Sequence, residues 1–152
     1  MTHNRIRRRL LATGIGIGGW ILMGPATAAS DDLAAAINTF SGGATVGVGK
    51  VTLAIASLVD NGNTVPIKIT VDSPMTATDH VAAIAVFNER NPQRDVALFT
   101  LGPRAGKAEL ETRIRLATSQ KLVAVARLSD GTFWSQTVNV VVTLAACIEG
   151  EA

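Results

Sequence analysis

The sequence has no second cysteine: Cys147 is the only one, and five residues follow it. A single thiol excludes an internal disulfide and an intramolecular redox pair. Histidine is nearly as scarce. His3 falls in a basic N-terminal stretch, which leaves His80 for the rest of the chain, and no His/Cys/Asp/Glu cluster has metal-ligand spacing. Ser129 and Ser135 have no His and Asp set identifiable from the pattern, which argues against a serine hydrolase. Beyond residue 23 no stretch is uniformly apolar over the roughly 20 residues that a membrane-spanning helix needs. Internal repeats of fixed period are also missing. What the chain does contain is an export-like N-terminus, a run of alternating apolar segments and a lone thiol near its end.

Residues 1–28 read as an export signal. Arg5, Arg7, Arg8 and Arg9 form the basic part, Leu10 to Met23 the apolar part, and Ala26-Thr27-Ala28 the small residues before a cut. Arg7-Arg8-Arg9-Leu10-Leu11 fits the twin-arginine pattern, and the glycines that follow keep the apolar part only mildly hydrophobic, which suits export of an already folded protein to the periplasm. Gly14-Ile15-Gly16-Ile17-Gly18-Gly19 matches the dinucleotide-binding spacing. Arginines precede it and a cut site follows, however, where a genuine instance needs a strand before and a helix after. The sequence pI near 9.1 is equally misleading. Four of the 14 Lys and Arg lie in the signal, leaving ten against 12 Asp and Glu, all beyond it, so the mature balance is about −2. This disfavours a nucleic-acid binder.

The mature part, roughly 120 residues, suffices for one domain with a real core. A short helix and Gly-rich linker are predicted over 29–49. Ser30, Asp31 and Asp32 supply the cap and first-turn acidity, Leu33, Ala36, Ile37 and Phe40 share a face, and Gly42-Gly43 end the helix. The passage to Gly49-Lys50 superficially resembles a phosphate loop, but Ala44 and Val51 stand where that motif needs Gly and Ser or Thr.

From residue 50 to 144 the period is two. Strands are predicted near 51–55, 65–71, 81–87, 95–101, 107–116, 121–128 and 133–144, with turns at Asp60-Asn61-Gly62-Asn63, Asn91-Pro92, Gly102-Pro103 and Asp130-Gly131. Over 107–116 the alternation is cleanest. Ala108, Leu110, Thr112, Ile114 and Leu116 face inward, while Lys107, Glu109, Glu111, Arg113 and Arg115 face solvent. Seven short strands without crossover helices predict an all-β, immunoglobulin-like antiparallel β-sandwich with a short N-terminal helix.

Residues 145–152 then form a C-terminal arm. Cys147 lies about 10 Å of extended chain past Leu144. In an exported protein an unpaired cysteine points to an intermolecular bridge or a reactive thiol, against the alternative of an inert buried one. His80, beside Asp79, reads as a turn residue or interface contact and not as a base for that thiol.

Several stretches resemble the SoxY family, the sulfur-carrying subunit of the bacterial thiosulfate-oxidising Sox system. They are Val71-Asp72-Ser73-Pro74-Met75-Thr76 with Asp79-His80, Phe87-Asn88-Glu89-Arg90-Asn91-Pro92, Thr112-Arg113-Ile114-Arg115-Leu116-Ala117 with Ser119-Gln120, Ser129-Asp130-Gly131-Thr132-Phe133-Trp134, and Val142-Thr143-Leu144 leading to Cys147. The resemblance implies a heterodimer with a second β-sandwich subunit, SoxZ. It implies Cys147 as the covalent sulfur attachment point, with no catalytic centre, cofactor or metal in the carrier itself. A c-type cytochrome pair would load thiosulfate, a hydrolase would release sulfate, and a molybdenum enzyme would oxidise the remaining sulfane sulfur. No nucleic-acid or membrane partner is implied.

The arm departs from the family's Gly-Gly-Cys-Gly-Gly. Ala145-Ala146-Cys147-Ile148-Glu149 has none of the four flanking glycines, so it is stiffer, and Ile148 makes it wider. Glu149 and Glu151 repel dianionic thiosulfate, weakly because exposed charges are screened. A divergent SoxY-like carrier of another sulfur donor therefore remains an alternative. So does a non-catalytic binding module whose cysteine forms an intermolecular disulfide.

Overall fold

The computed structural model describes residues 26–144. The expected signal up to residue 25 and the arm, with Cys147, lie outside the described residues. Helix α1 runs Ala26–Ser41. Nine strands follow: β1 (Val46–Val48), β2 (Val51–Ala54), β3 (Leu58–Asn61), β4 (Val65–Val71), β5 (Val81–Asn88), β6 (Asp95–Thr100), β7 (Glu109–Ile114), β8 (Gln120–Leu128) and β9 (Phe133–Leu144). A single 3₁₀ turn at Pro103–Ala105 interrupts the β6–β7 connection.

Two sheets face each other. The larger has the order β1-β9-β8-β5-β6, with β3 also on β9, and the smaller is β2-β4-β7. All seven predicted strands are present and pair antiparallel where they meet one another. Two more were not predicted. Val46-Gly47-Val48, within the expected linker, pairs parallel with Phe133–Ser135, and Leu58–Asn61, overlapping the expected turn, pairs parallel with Val141–Leu144. Both segments are short and owe their extended form to β9, a partner more than 80 residues away in sequence, so local pattern does not mark them.

Ile69, Ile84, Leu116 and Leu122 are fully buried between the sheets. The outer face of the larger sheet is closed by α1, whose Leu33, Ala36, Ile37 and Phe40 pack on Ala85, Phe87, Val123, Val125 and Phe133, the face predicted from spacing. The Phe40 ring meets Phe87 at 5.9 Å and Phe133 at 5.7 Å, both edge-to-face, an arrangement that adds about 0.5–1.5 kcal/mol per pair beyond area burial. The helix start differs from expectation. It begins at Ala26, so Asp31 and Asp32 sit in the second turn, because the small residues of the expected cut segment are themselves good helix formers. Its end is as expected: Gly42, at φ 63°, donates to Thr39 C=O and Gly43 to Asn38 C=O, the paired bonds of a Schellman stop.

Trp134 has no disulfide to pack on and meets β1 instead. A Cβ on Gly47 would lie 3.0 Å from its ring, tighter than side chains ordinarily pack, so the glycine eases this close approach. The Lys50 ammonium sits 4.9 Å from the ring centroid. Lys50 itself is held at φ 55° by a tight turn in which Val51 N–H donates to Gly49 C=O at 2.6 Å.

Candidate functional site: the base of the C-terminal arm

β9 ends at Leu144, three residues before Cys147 in the sequence. Leu144 C=O accepts the Gly62 N–H at 2.9 Å, and Gly62 C=O in turn accepts the Leu116 N–H at 2.8 Å. One step back, the Thr143 hydroxyl donates to Asp60 C=O at 3.1 Å, and Val142 N–H donates to Ser119 Oγ at 2.9 Å. The last strand is thus tied on one side by β3 and on the other by the loop before β8. Cys147 follows three residues later, within about 10 Å of this tie.

Below this tie lies a polar network. Asn88, Glu89 and Gln120 are buried, at 1, 9 and 5 % exposure, and burial of this kind is tolerated only when every polar group is paired. Asn91 Oδ1 accepts the Ala117 N–H at 3.0 Å and Gln120 Nε2 at 2.8 Å, while Asn91 Nδ2 donates to Arg115 C=O at 2.8 Å. Gln120 Oε1 accepts the Arg90 N–H at 2.8 Å. Glu89 Oε2 accepts the Lys121 N–H at 3.2 Å, with the Lys121 ammonium 3.7 Å from its other oxygen. Arg94 bridges to α1 through Asp32 at 3.1 Å. Among the described residues no buried side-chain polar atom lacks a partner. The network fixes two loops, 88–94 and 115–120, at the same end of the sandwich as Leu144. In the sequence these residues read as turn and motif positions, and the polar Gln120 at the head of an apolar strand is the one local signal of a network.

His80 is at the other end. Its N–H donates to Ser129 Oγ at 3.0 Å, its C=O accepts the Ser129 N–H at 2.8 Å, and its Nδ1 lies 3.2 Å from Thr76 C=O. This is the turn-residue role expected of it. The length of β9, about 36 Å at 3.3 Å per residue, separates that end from Leu144. Ser129 also donates to Thr78 C=O at 3.2 Å, and Ser135 donates to Gly47 C=O at 3.2 Å, so both expected bystander serines are committed to main chain.

Charges elsewhere are surface features. Lys68 Nζ lies 2.7 Å from Glu109 and 3.1 Å from Glu111, and these two hydrogen bonds raise the Lys68 pKa. Lys68 correspondingly lowers that of Glu109. Asp130 is lowered by the Thr132 N–H and then the Thr132 hydroxyl, at 2.9 and 2.7 Å. Among the described residues no group of three or more His, Cys, Asp or Glu could hold a metal ion, and no helix is long and apolar enough to cross a membrane.

These features define an immunoglobulin-like β-sandwich whose last strand is anchored on both sides up to Leu144. Residues 37–147 match the family model for the sulfur oxidation protein SoxY, a match that runs through Cys147. The chain belongs to the SoxY family. Among solved structures it is similar to the sulfur carrier protein SoxY from Chlorobium limicola f thiosulfatophilum, with 24 % identity, a TM-score of 0.61, and coverage of 76 % of this chain and 99 % of that one. The sandwich is also shared with superoxide reductase (neelaredoxin) from Ignicoccus hospitalis, at 14 % identity, TM-score 0.55, and 61 and 79 % coverage. A putative superoxide reductase from Thermotoga maritima matches at 20 % identity, TM-score 0.53, and 68 and 89 % coverage. No curated protein matches the chain.

Proposed function

We propose that the protein is a periplasmic covalent sulfur carrier that holds thiosulfate-derived sulfur on Cys147, and that it acts on no substrate by itself. The observation that carries this reading is the family match extending through the one cysteine of the chain. The anchored end of β9 supports it, because an arm that delivers sulfur to separate enzymes needs a fixed root. In loading, the Cys147 thiol and thiosulfate would join through a new S–S bond, releasing the thiol proton and two electrons to a cytochrome partner. Water would then cleave the sulfonate as sulfate, leaving a cysteine persulfide for a molybdenum enzyme.

A SoxZ-like β-sandwich subunit would complete the carrier. Leu58 and Val141, in register on adjacent strands, are 57 and 52 % exposed, and Leu144 is 61 % exposed. This apolar surface beside the arm is our assignment for that contact. Export by the twin-arginine route would carry the folded pair out together. The glycine-poor arm favours a second reading, a divergent carrier serving another sulfur donor or wider partner channels.

Intact-mass spectrometry after incubation with thiosulfate and the loading enzymes should show one thiosulfate-derived adduct on Cys147, absent in Cys147→Ser. An adduct formed only with another donor would select the divergent carrier. Disulfide dimer alone would count against carriage altogether.

A further inference from the structure

Strand β7 ends the smaller sheet, and its free edge carries a self-complementary pattern. Val71 N–H donates to Ala108 C=O at 2.9 Å, so in the β4–β7 ladder residues 108, 110, 112 and 114 turn their main-chain groups to β4. Glu109, Glu111 and Arg113 turn theirs to the open side. Asn91 bears out this phase just past the strand, where its amide spans the outward Arg115 C=O and Ala117 N–H. The same outward-phased residues place exposed side chains on the solvent face in the order Glu109, Glu111, Arg113, Arg115, two acids and then two bases. Across the open flank, β6 does not pair with β7. A groove of about 580 Å³ lies between them, lined by Asp95, Val96, Thr112, Arg113 and Arg115 among others.

We propose that β7 pairs antiparallel with β7 of a second copy of this chain about a two-fold axis at Thr112. That register sets Glu111 against Arg113 of the second copy, twice by symmetry and both times with opposite charges, while Arg115, whose edge Asn91 of its own chain spans, stays outside the pairing. The pairs of residues 111 and 113 exchange main-chain hydrogen bonds, and Thr112 meets its counterpart at a non-bonded position. Sliding the axis to Glu111 or to Arg113 puts like charges face to face, so charge selects one register. Lys68, opposite Glu111 on the other side, extends each row to Lys68, Glu111 and Arg113 of the second copy. The result is a continuous six-stranded sheet closed by its own symmetry. It leaves the arm base and Leu58, Val141 and Leu144 uninvolved, and it stands whether or not Cys147 carries sulfur.

The test measures self-association of the full chain by sedimentation, with Cys147 kept reduced so that no disulfide contributes. Wild type should show a concentration-dependent dimer. Glu111→Arg and Arg113→Glu should each weaken it about tenfold or more, since each creates two like-charge pairs. An equimolar mixture of the two variants should restore dimerisation, as should the double variant, because both arrangements pair opposite charges again. Circular dichroism of each variant separates misfolding from lost pairing. The proposal fails if wild type stays monomeric up to about 1 mM, if the mixture associates no better than its components, or if the β7 edge is occupied only by a strand of a different protein.

Discussion

The two ends of the sandwich are built differently, although each is made from two of the stretches that carry the family resemblance. At the Leu144 end, Phe87–Pro92 meets Thr112–Gln120 through half-buried Asn91 and buried Gln120. At the far end, Val71–His80 meets Ser129–Trp134 through His80 and Ser129, whose bonds are mostly exposed turn contacts. Exposed hydrogen bonds compete with water and contribute little, whereas a buried group that loses its partner costs its full desolvation. The difference assigns rigidity to the end from which the arm departs.

Asn91→Ala should sharpen this contrast most. It removes the partner of Ala117 N–H and of Arg115 C=O and one of the two acceptors of Gln120 Nε2, which keeps Thr118 C=O, and should cost about 3 kcal/mol in urea unfolding. A loss below about 1 kcal/mol would mean that water replaces the network and that the two ends are equivalent. Ser129→Ala removes the corresponding hydroxyl at the far end and should cost about 1 kcal/mol. His80→Ala should change stability by no more than about 0.5 kcal/mol and leave sulfur loading on Cys147 at the wild-type rate. Slower loading would bring His80 into the mechanism and break the separation of the ends.

The smallest effect is a pH dependence. The Asp130 carboxyl is held below its ordinary value of 3.8 by Thr132. Its contribution is therefore full above that value and is lost as pH falls through the lowered folded value. Asp130→Asn should leave stability near neutrality unaltered in its pH slope and flatten only the acid limb below about pH 4, read from thermal unfolding at successive pH values. Lys68 works in the opposite direction. Its raised pKa keeps its contribution full below 10.5 and loses it only as pH climbs past the higher folded value.

Seven strands are legible in the sequence because each carries its own pattern: 109–114 alternates, with Leu110, Thr112 and Ile114 turned inward, while β5 and β8 are near-continuous apolar runs bounded by turns. Strands β1 and β3 are hidden. Gly47 weakens strand propensity, and Asp60-Asn61 reads as a turn, so only pairing with β9 makes these segments extended. The same limit applies to the site. Cys147 stands out by being alone, and His80 by being the one histidine among the described residues. Asn91 is an ordinary loop residue until the fold brings Ala117 and Gln120 to it, 26 and 29 positions away.

The double pairing of β9 also has a mechanical meaning. A force applied at Leu144 pulls β9 along its own axis. Its bonds to β8 on one side and to β1 and β3 on the other then lie across the direction of the pull. Such bonds are loaded together in shear and do not open one after another like a zipper. Traction at Leu144 is shared by two neighbours along the strand, so a pull on the end of β9 does not peel it from the sandwich.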